Sequence, residues 1–186
     1  MLKITGGLYR GRKIITTRGE GYRPATARVR ESLFSMLRSL GFFGGEEIVL
    51  DVFAGSGVLG FEALSRGALQ VYFLEKMRQA CACIQKNCLE LQLDASKTKV
   101  ICKDALKALE TQLTGLQFDL IFVDPPYGKN YLTKTLQLIL TGSLLSRNGV
   151  LVAEVESTFQ AEEDLLGLNL YKQKLFGQTK VLIWTR

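Results

Sequence analysis

The chain has 186 residues, 47% apolar and 23% charged, which suits one globular domain with room for a substantial core. It holds no histidine, which excludes the usual triads, and its four cysteines (Cys81, Cys83, Cys88, Cys102) match no zinc spacing, so no metal is expected. No run of about 18 apolar residues offers a membrane span, and Met1 to Gly7 lacks a secretion-type apolar core, so a cytoplasmic protein is expected.

The net charge of +6 is concentrated at one end. Residues 1–40 contain nine Lys/Arg against two acids, while the remainder is nearly neutral. A basic segment on a neutral body points to a polyanion, most simply nucleic acid. Within it, Ile4 to Ile15 mixes glycines with branched residues and arginines and reads as a short hairpin or arm. Tyr9, Arg10, Arg12 and Lys13 there suit stacking and phosphate contact. Thr26 is a candidate N-cap for a helix running to about Leu40, with Val29, Leu33, Met36, Leu37 and Leu40 on its core face. Arg28 and Arg30 lie near that helix's amino end, where the dipole disfavours cations, which hints at an anionic partner.

Strands and helices then alternate. Ile48 to Phe53 is the first core strand, followed by a glycine loop and a helix to about Arg66. Val71 to Glu75 is the second strand, followed by a helix from about Met77 to Leu91 with Cys81, Ile84, Cys88 and Leu91 in one stripe. Val100 to Cys102, Phe118 to Val123 and Val150 to Glu154 are the next three, with helices near 104–112 and 132–140 between them. A short acidic helix is expected near Phe159 to Leu166, then two strands, 170–176 and 181–185, close enough to pair. This pattern predicts a doubly wound, mostly parallel α/β sheet with helices on both faces and one antiparallel strand contributed by the closing hairpin.

Two motifs carry chemistry. Gly55-x-Gly57-x-x-Gly60 joins a strand to a helix, and Glu75 lies 20 residues beyond Gly55 at the end of the next strand. This is formally the dinucleotide fingerprint. Three features oppose NAD. Asp51 puts a carboxylate where a pyrophosphate would sit, no room remains for a separate substrate domain, and the second motif has no part in hydride transfer. S-adenosylmethionine fits better, because it has no phosphate and carries cationic centres that acids favour. Glu75 can accept both ribose hydroxyls and Asp104 the adenine amino group. The cofactor-binding set is Asp51, Phe53, Gly55, Ser56, Gly57, Glu75, Asp104 and Ala105.

The second motif is Asp124-Pro125-Pro126-Tyr127, which closes the fourth strand and contains two of the chain's three prolines. Proline fixes its own φ, supplies no N–H and holds the preceding residue extended. Asp124 and the Pro125 carbonyl therefore present two acceptors without a competing donor, and Tyr127 adds a flat ring. Such a corner suits a planar base bearing an exocyclic NH2, so Asp124, Pro125, Pro126 and Tyr127 form the expected catalytic set.

Asp51 to Gly57, Glu75, Asp104 and Asp124 to Tyr127 resemble the class I S-adenosylmethionine-dependent amino-methyltransferases. Gly6 to Ile14 (GGLYRGRKI), Arg23-Pro24, Arg28 to Phe34, Leu59 to Ala68 and Phe176-Gly177 are more specific. They resemble the 16S ribosomal RNA guanine-N2 methyltransferases of the RsmD type, a name that assigns guanine 966. The family usually has Thr at the place of Ala25 and a polar or small residue at the place of Ala27. The resemblance implies a seven-stranded Rossmann-like sheet, S-adenosylmethionine as cofactor, and 16S rRNA or a small ribosomal subunit, mature or in assembly, as partner. It also implies one methyltransferase domain over 1–186, in which 1–40 is a basic extension with its helix and 41–186 the catalytic core. A monomer is expected. Arg10, Arg12, Lys13, Arg23, Arg28 and Arg30 are the candidate RNA-binding residues. Rival readings are methylation of adenine N6 or cytosine N4 in DNA, adenine N6 in another RNA, a protein glutamine, or an RNA-binding module without chemistry.

Overall fold

A computed structural model describes residues 2–16, 25–126, 131–160, 164–165 and 167–186. The basic amino end forms a hairpin, β1 (Leu2–Lys3) paired antiparallel with β2 (Lys13–Ile14). Helix α1 (Ala27–Ser39) begins where expected: Val29 N–H donates to the Thr26 hydroxyl at 3.3 Å, which satisfies one amide of the first turn. Val29, Leu33, Phe34, Met36 and Leu37 are its buried face.

The alternation follows in chain order: β3 (Ile48–Val52), α2 (Val58–Arg66), β4 (Gln70–Glu75), α3 (Arg78–Glu90), β5 (Thr98–Cys102), α4 (Ala105–Thr111), β6 (Phe118–Val123), α5 (Tyr131–Thr141) and β7 (Leu145–Glu156). The chain closes with β8 (Asp164–Leu165), β9 (Leu168–Phe176) and β10 (Thr179–Thr185). The sheet order is β5-β4-β3-β6-β7-β10-β9-β8. Strands β3 to β7 are mutually parallel, and β10 runs antiparallel between β7 and β9. The seven expected strands are therefore present, the antiparallel β10 among them, with a two-residue eighth, β8, on the outer edge.

The expected acidic helix near 159–166 is a correction. Phe159 and Gln160 are irregular, and Asp164–Leu165 pairs as a strand with β9 in the register Asp164↔Asn169 and Leu165↔Leu168. Gly167, at φ 86°, supplies the left-handed turn that returns the chain onto β9. Residues 161–163 and 166 lie outside the described residues.

Two apolar layers sandwich the sheet. On one side Phe34, Phe61, Phe73, Phe122, Leu33, Ile84 and Val152 join α1, α2 and the hairpin's Ile4 and Ile14 to the strands. On the other, Leu50, Leu74, Leu109, Phe118, Ile121, Leu136, Ile139 and Trp184 pack beneath α4 and α5. Each such side chain, fully buried, contributes about 1.5–3 kcal/mol. The third glycine of the fingerprint belongs to this packing: a Cβ on Gly60 would stand 2.3 Å from the Phe73 ring and 2.8 Å from Val71, so only glycine lets α2 approach β4. Among the described residues, no helix is long and apolar enough to cross a membrane.

Candidate active site

Strand order reverses between β3 and β6, and the site gathers at the carboxyl ends of these strands, where open α/β sheets bind ligands. After β3 the chain leaves the sheet through a run of left-handed residues: Phe53 at φ 64°, Gly55 at 54° and Gly57 at 75°. Positive φ at a phenylalanine is strained backbone, which structures tolerate chiefly where function requires it. Gly57 resists a side chain, since its φ is left-handed and a Cβ would crowd both Phe61 and Phe73 at 3.0 Å.

The acids named from the sequence hold this loop. Gly55 N–H donates to Glu75 Oε2 at 2.8 Å, and Met77 N–H donates to Glu75 Oε1 at 2.8 Å. Asp51 is 2% exposed, and its Oδ2 accepts from Gly60 N–H at 3.0 Å. Asp51 thus braces the loop from within the core. Gly57 N–H is taken by the Ala54 carbonyl at 2.7 Å. Three glycine amides that could cradle a pyrophosphate are therefore occupied, two of them by carboxylates, and the loop fits a cation better than a phosphate. Ser56 is fully buried beneath it. Asp104 caps α4, accepting from Lys107 N–H at 3.2 Å, with Ala105 buried behind it.

The proline corner stands beside the loop. Asp124 N–H donates to the Val52 carbonyl at 3.4 Å, which joins the end of β6 to the end of β3. Asp124 and Pro125 are half-buried and Pro126 is exposed. Tyr127 lies outside the described residues. The Phe53 ring meets Tyr131 edge-on, centroids 5.9 Å apart, which puts a second aromatic at this end of the sheet. Tyr131 was not read as a site residue, because a lone Tyr opening a helix carries no motif.

The electrostatics are set by acids that form no ion pair among the described residues. Burial raises the Asp51 carboxyl to about 8, opposed by the Gly60 amide and reinforced by the charge of Glu75. Burial likewise holds Asp124 well above its ordinary value, helped by the charges of Glu154 and Asp51. Glu154 is the acid that sequence reasoning left out. It is 9% exposed at the carboxyl end of β7, and burial raises it to about 7 against the favourable charge of Arg30. Its signal was there to read, a polar residue closing an apolar parallel strand as Asp124 and Glu75 do.

The basic residues divide. Arg10, Arg12 and Lys13 on the hairpin and Arg28 on α1 are exposed, with the Arg12 guanidinium donating to the Glu90 carbonyl. Arg23 lies outside the described residues. Arg30 is a correction: it is 2% exposed, donates to Glu62 Oε1 at 3.0 Å, to the Lys3 carbonyl at 2.8 Å and to the Ala25 carbonyl, and offers nothing to an RNA phosphate. Glu62, fully buried, is the reason. It also accepts from Arg66 and from both the amide and hydroxyl of Thr5, so the pair ties the hairpin to α1 and α2.

Fold and site together define a class I methyltransferase. A family model described as "Conserved hypothetical protein 95" matches residues 2–185, and the chain belongs to that family. It is 36% identical over 155 residues to "Ribosomal RNA small subunit methyltransferase D" of Haemophilus influenzae, covering 83% of this chain and 79% of that protein. It is 32% identical over 185 residues to the protein of the same name from Escherichia coli K12, covering 100% and 90%. A solved structure described as "Putative methyltransferase yhhF from Escherichia coli" superposes with a TM-score of 0.86 at 30% identity, covering 100% of this chain and 97% of that one.

Proposed function

We propose that the protein transfers a methyl group from S-adenosylmethionine to the exocyclic N2 of one guanine in 16S rRNA. The observation that carries this reading is the corner at Asp124 and Pro125. It is bonded to the end of β3 and adjoins a glycine loop whose nearest acids have no counter-cation among the described residues. Relatives named as small-subunit rRNA methyltransferases support the substrate class.

S-adenosylmethionine, when bound, supplies a methyl group activated on a sulfonium. The residues placed to hold it are Glu75 for the ribose hydroxyls, Asp104 for the adenine amine, and Phe53, Gly55, Ser56, Gly57 and Ala105 along its path. Asp51 acts through the loop, by holding the Gly60 amide. The guanine N2 lone pair is delocalised into the ring, so the chain's task is orientation. Asp124 and the Pro125 carbonyl accept its two N–H bonds and aim the lone pair at the methyl carbon, with Tyr127 against the base. The methyl–sulfur bond would break as the N–C bond forms, with S-adenosylhomocysteine as the leaving group, and the amine would pass its proton to Asp124, whose carboxyl is basic for an acid. The base must leave its stack to reach a strand-end site.

Arg10, Arg12, Lys13 and Arg28 serve the phosphates. Two open cavities, of about 420 and 930 Å³, share Ala25 and Thr26 in their walls and offer a path from the hairpin toward β7. On this reading the protein works in the cytoplasm, as one domain and a monomer.

The test is Asp124→Ala with tritiated S-adenosylmethionine, offered to 16S rRNA, small subunits and DNA in parallel. Transfer is expected on the ribosomal substrates with the wild type and to fall by at least about 10³-fold in the variant, while equilibrium binding of S-adenosylmethionine changes little. Normal turnover by the variant would sink the role of Asp124, and transfer to DNA alone would sink the substrate.

A further inference from the structure

The larger of the two cavities, about 930 Å³, lies between the start of α1 and the β9–β10 hairpin. Its wall contains exposed cations, Arg28 and Lys174, the half-buried ring of Phe176, and one buried charge, Glu154. Lys174 Nζ donates to Ser32 Oγ at 2.9 Å and stands 5.3 Å from the Phe176 centroid, so it bridges the two sides of the cavity mouth. Glu154 receives no hydrogen bond among the described residues. Its nearest favourable charge, Arg30, has its donors committed to Glu62, Ala25 and Lys3. Glu154 thus lines the cavity with acceptor capacity to spare for an N–H brought by a ligand.

Sheet register says what it sits beside. Val123 pairs with Ala153 across parallel strands, so Asp124 and Glu154, one residue further on, are neighbours on one face. Guanine offers a matching pair on its Watson–Crick edge, the N2 amine and, next to it, the N1–H. We propose that this cavity receives the target nucleotide and that Glu154 is its specificity-determining residue, accepting the guanine N1–H while Asp124 holds the N2 amine. The proposal rests on the guanine-N2 reading above. Arg28 and Lys174 meet the flanking phosphates, and Phe176 faces the base or sugar. Adenine turns an N1 lone pair toward the same carboxylate and is repelled. A site built to bond an N–H rejects an analogue lacking it far more strongly than an apolar pocket rejects a missing methylene.

The experiment uses the full chain with S-adenosylmethionine and an RNA whose mapped target is either guanine or 2-aminopurine, which keeps the amine but has an N1 lone pair. The wild type is expected to favour guanine by at least about 100-fold in kcat/KM. In Glu154→Gln, whose amide can donate to N1, the ratio is expected to narrow by about tenfold or more, with the thermal midpoint recorded to show that the variant folds. A wild type that methylates guanine but treats 2-aminopurine equally overturns the role of Glu154 without any variant. So does a Gln variant that slows both substrates by one factor. A wild type that methylates no guanine overturns the functional reading and this inference with it.

Discussion

Two groups of buried acid lie on the same side of the sheet, and they are solved in opposite ways. Glu62 is fully buried and its carboxylate accepts four hydrogen bonds, from Arg30, Arg66 and the amide and hydroxyl of Thr5. Asp51 and Glu154 both stand close enough to raise Asp124, yet among the described residues the three carboxylates receive one hydrogen bond, from Gly60, and no ion pair. The first group is internally complete, as a structural element is. The second lacks donors and positive charge, which are what a sulfonium cofactor and an amine-bearing base bring.

The largest effect should come from breaking the complete group. Glu62→Ala leaves Arg30 buried without its carboxylate and frees Arg66 and Thr5 together. Removing one partner of a buried pair costs about 3–5 kcal/mol, so the thermal midpoint is expected to fall by roughly 10 °C or more, with faster proteolysis of the hairpin. A variant within a degree or two of wild type would show that Glu62 is no tighter than a surface acid and would erase the contrast.

Much of this was legible in the sequence. Apolar runs of strand length alternating with helical stripes gave the parallel sheet, and Gly55, Gly57, Gly60, Glu75 and the Asp-Pro-Pro corner marked where its strands end, because such motifs are local. What was not legible depends on partners distant in the chain. Arg30 reads as one more cation in a basic segment, and only the placement of Glu62, 32 residues away, makes it structural. Glu154 reads as the polar end of a strand until the register with β6 sets it beside Asp124. The acidic stretch near 159–166 follows β-pairing around Gly167 instead of its helical composition, a tertiary override of local preference.

A smaller effect, on the incomplete group, is expected from Gly60→Ala. The new methyl would stand 2.3 Å from the Phe73 ring, and the amide that holds Asp51 would move with the helix. Overpacking of this kind costs about 1–3 kcal/mol. Because it also disturbs the glycine loop, S-adenosylmethionine binding is expected to weaken by more than stability predicts. Equal affinity for the cofactor at reduced stability would mean that Asp51 and the loop are not coupled.

The mildest change is Asp51→Asn, and its sign depends on pH. The Asp51 carboxyl titrates near 8 in the fold against an ordinary 3.8, so the folded chain holds a proton that the unfolded chain releases. That proton stabilises the fold fully below about 3.8, and the contribution is lost as pH rises through about 8. At pH 5 the folded chain still holds the proton, and Asn resembles that neutral acid and can still accept the Gly60 amide, so the Asn variant is expected to lead only by the small amount that ionisation of the unfolded aspartate has already cost the wild type. At pH 9 the aspartate is ionised beside Glu75, and the Asn variant is expected to be the more stable. Thermal melts of both proteins from pH 5 to 9 decide it. Parallel curves would mean that Asp51 is already compensated, which would place it with Glu62 and narrow the contrast to Asp124 and Glu154.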